Sequence, residues 1–175
     1  MEPSNFALVY RFPILATVGY VALFFRFIGN QKSIFYSLQL EKLMENKEEF
    51  DRYHSNDGRL LAADRTLGNL LEQAPAFLAS LWICALSSED NNRIAGILGI
   101  AWVLIRALYP IILGNSLRNF VPTRIYFVTL PAYTIILFMT SRALVAAFPA
   151  LVLRDTCILP FIGLMFLFLG PGLPT

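Results

Sequence analysis

Four stretches of the chain are almost wholly apolar, at about residues 7–29, 67–86, 94–113 and 125–148. Each supplies the roughly twenty residues that a helix rising 1.5 Å per residue needs to cross about 30 Å of hydrocarbon. Helices are the expected form, because an open sheet edge leaves backbone groups unpaired in lipid. The link SSEDNNR between the second and third stretches is short, so those helices should be antiparallel neighbours. A fifth apolar stretch, 156–170, is short for a crossing and ends in GPGLPT. It fits a re-entrant, interfacial or partner-docked segment better. The pattern predicts an all-α integral membrane protein: a four-helix transmembrane bundle over residues 1–150, with a C-terminal apolar extension over 151–175.

Polar positions refine this picture. The long first loop, 30–64, contains SLQLEKLMENKEEFDRY, where Leu40, Leu43, Met44 and Lys47 share one helical stripe. A short amphipathic helix is expected there, lying on the membrane surface or capping the bundle. Each span also carries a proline, Pro13, Pro75, Pro110 or Pro131. An interior proline frees the carbonyl four residues back, which is Leu71 for Pro75 and Arg106 for Pro110.

Composition agrees with the membrane class. Only 15% of residues are charged, 57% are hydrophobic and the mean hydropathy is +0.60, against about a quarter charged in a soluble domain. A net charge of +2 without a basic cluster gives no reason to expect a nucleic-acid partner. Cys84 and Cys157 sit in apolar stretches and read as small buried hydrophobes. With His54 as the single histidine, they suggest no metal site and no serine–histidine–aspartate set. The N-terminus reads as a retained first span, not a removable signal.

Lysines and arginines set the orientation. Lys32, Lys42, Lys47, Arg52, Arg59 and Arg65 lie in or beside the first loop, and Arg118 and Arg124 in the third. The other side has Arg93 and Arg154, with Arg11 and Arg142 near helix ends. This asymmetry places the first and third loops on the cytoplasmic side.

Arg65, Asn69 and Glu72 stand at i, i+4 and i+7, within about 60° of one another on the second span. An ionised group facing mid-membrane lipid costs about 2.5–3.5 kcal/mol, so these residues should face protein or water. Arg106 and Tyr109, at i and i+3 on the third span, lie at a similar depth. Two readings follow. The five residues could form a polar pocket, open to the cytoplasmic side, for a small zwitterion with carboxylates and an amine. Alternatively, Glu72 and Arg106 form an interhelical ion pair that fixes helix register.

RTLGNLLEQAP on the second span, followed by RALY on the third, resembles the MAPEG superfamily, the membrane-associated proteins of eicosanoid and glutathione metabolism. The similarity covers about residues 59–140 and is carried by Arg-x3-Asn-x2-Glu in a four-span setting. The resemblance implies a four-helix protomer, a homotrimer, and glutathione as co-substrate between subunits. By the same resemblance Arg65, Asn69 and Glu72 hold the glutathione carboxylates and amine. Arg106 and Tyr109 line the site, and Arg26 matches a further family arginine. Arg118 and Arg124 bracket the family arginine that ionises the thiol, which makes them the candidate catalytic residues. Leu113 departs from the family's second tyrosine, and Gln73 stands where leukotriene synthases often have an aromatic residue.

The implied function is that of a glutathione-dependent membrane enzyme. It would conjugate glutathione to a lipophilic acceptor drawn from the bilayer, or reduce lipid hydroperoxides. The alternative is a non-catalytic accessory subunit of a larger membrane complex. The family setting implies the endoplasmic reticulum or another organelle membrane.

Overall fold

The computed structural model describes residues 3–45, 51–52, 56–117 and 122–147. Helix α1 covers Pro3–Val9, α2 Arg11–Met44, α3 Gly58–Ser87, α4 Glu89–Leu113 and α5 Tyr126–Ala147, with a 3-10 turn at Thr123–Ile125 before α5. Helices α2 to α5 are each long and apolar enough to cross a membrane. The expected four-helix transmembrane bundle is therefore present. The apolar extension after residue 150, with 156–170, lies outside the described residues, as do Arg118, Lys47, His54 and Cys157.

Helix α2 departs from expectation at both ends. It starts at Arg11, so Pro13 occupies the first turn, where a missing N–H costs nothing. Its C-terminal part does not break into a separate surface helix. The segment NQKSIFYSLQLEKLM after Gly29 contains neither glycine nor proline, and the helix runs on to Met44. At 34 residues it is about 51 Å long, well beyond the hydrocarbon thickness. Leu40, Leu43 and Met44 are exposed on that extension, and they were the apolar stripe expected of the amphipathic helix.

Arg59 ties the extension to the start of α3. Its Nη1 and Nη2 donate to the two carboxylate oxygens of Glu41 at 2.9 and 2.8 Å, a bidentate pair. Asp57 caps α3 by accepting from the Arg59 N–H at 2.8 Å. Hydrogen bonds from the Arg59 side chain hold the Asp57 carboxyl below the ordinary carboxylate range. At the other end, Ser88 alone separates α3 from α4, in extended geometry, and its side chain accepts from the Asn91 N–H. The acidic part of the expected link becomes the first turn of α4, where Glu89 and Asp90 complement the helix dipole.

α3 and α4 form the central pair, each packed on both α2 and α5. Small residues permit the closeness. A Cβ on Gly96 would stand 2.3 Å from the Phe12 Cβ, and one on Gly99 would stand 2.8 Å from the Ala16 Cβ. This is the small-residue packing that membrane helices use in place of a hydrophobic driving force. Phe77 and Trp102 stack at 3.8 Å between ring centroids in the middle of the α3–α4 contact, and Tyr20 of α2 packs against both. Outward faces are apolar as well: Leu15, Phe25, Ile83, Leu104, Ile111 and Phe127 are all exposed. In water such a surface would aggregate; in lipid it is solvated.

Candidate polar site on the α3–α4 pair

The polar face of α3 is split by its position on the helix. With Asn69 at zero and about 100° per residue, Gln73 falls near +40°, Phe77 near +80° and Leu70 near +100°. These four are buried. Arg65 falls near −40° and Glu72 near −60°, and both are exposed on the flank of the protomer. Asn69 is thus the edge between core and outer face.

Arg106 of α4 enters the core from the opposite side and is 1% exposed. Its Nη1 donates to Asn69 Oδ1 at 2.6 Å. The guanidinium carbon lies 5.5 Å from the Trp102 ring centroid and 5.7 Å from that of Tyr109. The interhelical contact of Arg106 is therefore with Asn69, not with Glu72. The reason is angular: Glu72 is turned about 60° away from Asn69, outside the arc that faces α4.

The other half of the cluster converges on Tyr109. Its hydroxyl lies within electrostatic reach of Arg65, Arg106 and Glu72. Arg65 and Glu72 thus lie on the exposed flank of α3, while Tyr109 is buried beside Leu113, Ile125 and Val128, between that flank and Arg106. Tyr133 of α5 also lies near Arg106, a neighbour that the sequence analysis missed. Trp102 was missed too, although its place one turn before Arg106 on the same face was a usable signal.

Two candidates stand apart. Arg26 is exposed on α2 and makes no hydrogen bond or ion pair with the cluster among the described residues. Arg124, in the 3-10 turn, is also exposed; its Nη2 lies 3.6 Å from where a Gly114 Cβ would stand, so it covers the C-terminal end of α4. Leu113, at the position of the second family tyrosine, is buried with Ala62, Ile125 and Val128.

A cavity of about 340 Å³ opens between α2, α3 and the end of α4, lined by Asn30, Ile34, Arg59, Ala62, Ala63, Thr66, Pro110, Gly114 and Asn115. None of the residues expected to bind glutathione lines it. The cavity is the space left under the Arg59 clasp, and Arg65 and Glu72, exposed on the flank of α3, lie outside it.

Compared with known proteins, residues 12–145 match the model of the MAPEG family. That range extends the likeness through the first and fourth spans. No curated protein and no solved structure is matched.

Proposed function

Since the chain belongs to the MAPEG family, we propose that it is a glutathione-dependent membrane enzyme. It conjugates glutathione to lipophilic electrophiles or uses it to reduce lipid hydroperoxides. The observation that carries this reading is the exposure of Arg65 and Glu72 on one flank of a membrane-crossing helix, with the buried Tyr109 in the neighbourhood of both. An ionised Glu72 facing lipid is costly, and Arg65, about 10 Å nearer the cytoplasmic end of the helix, lies on the same flank. A neighbouring subunit with a polar ligand held between the two removes that cost. A homotrimer meets this requirement.

In this reading Arg65 takes a carboxylate of glutathione in bidentate fashion, and Glu72 pairs with its ammonium group. Asn69 spends its oxygen on Arg106 and keeps its amide N–H groups for the ligand. Arg106 fixes Asn69 and adds positive potential behind it. Tyr109 offers a hydroxyl donor to the sulfur. Arg124 or Arg118 favours the thiolate by charge, and the acceptor reaches it from the bilayer. The first and third loops face the cytoplasm.

One observation favours the second reading, a non-catalytic accessory subunit in a larger complex. Arg124 covers the end of α4 rather than the Tyr109 group, and Leu113 brings no hydroxyl. Calorimetry with glutathione on the detergent-purified protein separates the two. Binding in the micromolar to low-millimolar range, lost in Glu72→Ala, is the expected result. A folded wild-type protein that binds no glutathione removes the enzyme reading and leaves the accessory one.

A further inference from the structure

Below Asn69 the α3–α4 seam remains polar for another turn. The helices are antiparallel, and Arg106 meets Asn69. One turn deeper, four residues on along α3 is Gln73, and four residues back along α4 is Trp102. Phe77, a further turn along, stacks on the Trp102 ring, so Gln73 lies between the Asn69–Arg106 and Phe77–Trp102 contacts. Gln73 is 2% exposed and Trp102 is fully buried.

Five polar atoms of this seam have no hydrogen-bond partner among the described residues: Arg106 Nε and Nη2, Trp102 Nε1, and both the Nε2 and Oε1 of Gln73. Four of the five are donors. The charge is unmatched as well. Among the described residues no carboxylate pairs with Arg106, whose hydrogen bond goes to the neutral Asn69. A guanidinium buried inside a membrane bundle without a counter-charge is costly, and so is each orphaned donor beside it.

We propose that this seam binds a small inorganic anion of halide size within a single protomer, held by Arg106 with Trp102 and Gln73 as the further donors. The excess of donors sets the sign of the ligand. Closure bounds its size from above, since side chains that are 0–2% exposed leave no opening for a carboxylate tethered to a tripeptide. The site shares Arg106 with the glutathione reading but does not rest on it, and it is tested with no glutathione present.

Trp102 is its own reporter. In a Trp82→Phe background it is the single indole of the chain. Iodide titrated at constant ionic strength against gluconate should quench its fluorescence saturably and raise the melting temperature. Gln73→Leu should weaken the half-saturation concentration about tenfold, the effect of losing one hydrogen bond to a charge. Asn69→Asp should abolish saturable quenching, because a built-in carboxylate takes the place of the ion beside Arg106; charge pairing keeps this variant foldable. Linear, non-saturating quenching with no halide effect on melting overturns the proposal. So does quenching unchanged in both variants. If added glutathione displaces iodide competitively, the ion is occupying the carboxylate position of glutathione, and the separate site is overturned while the glutathione reading stands.

Discussion

At the scale of single residues, Asn69 decides how the polar face works. It is the one member of the Arg65–Asn69–Glu72 triplet that faces the core, and its oxygen is the hydrogen-bond acceptor given to Arg106. Asn69→Leu should therefore destabilise the protein by about 2 kcal/mol, the range for a hydrogen bond to a charged group. Thermal unfolding in detergent reads this directly, and an unchanged melting temperature would mean that the contact contributes nothing net. The sequence made the triplet visible because helical spacing alone puts its members on one side. It did not show which would turn inward. That depends on where the buried arc of α3 ends, and the 60° between Asn69 and Glu72 is too fine a difference for periodicity to resolve. Gln73 was noticed for lacking an aromatic ring, whereas its neighbourhood with Trp102 required the α3–α4 register.

Among the elements, the spans were legible because lipid demands long apolar runs, and their ends were less so. Charged and polar residues can lengthen a helix beyond the bilayer without showing in hydropathy, which is how α2 reaches Met44 and α3 starts at Gly58. Close helix contacts were not legible either, since a glycine in a span carries no mark of what it faces. Gly96 is the sharpest case. Gly96→Val requires Phe12 and Pro13 to move away and should cost about 1–3 kcal/mol through forced separation of α2 from α4. The same change at Gly68, where an added Cβ meets nothing within 4 Å, should be much milder. Equal losses of melting temperature at the two positions would contradict this packing.

For the whole molecule, the distribution of charge is the informative quantity. The protomer is apolar where lipid should be and charged on one flank where lipid should not be. In the proposed homotrimer a neighbouring subunit covers that flank. The expected mass in mild detergent is that of a trimer of the 19.7 kDa chain, and Arg65→Leu with Glu72→Leu should not dissociate it if the flank is held mainly by apolar packing. A monomer for the wild type would leave Glu72 facing lipid and would count against the ligand site between subunits. This level was the least accessible from sequence, where the charges could equally have been paired inside one protomer.

Ser88 has a consequence for biosynthesis. With one residue between them, α3 and α4 cannot be threaded into the bilayer one after the other as independent segments. They must enter as a closed hairpin. Arg106 then crosses the headgroup region alongside Asn69, and the insertion machinery handles a polar pair rather than a lone guanidinium. A flexible linker inserted between Ser87 and Ser88, which leaves the Ser88 cap on α4 in place, would undo that escort. It should lower the yield of inserted protein even though that cap is kept.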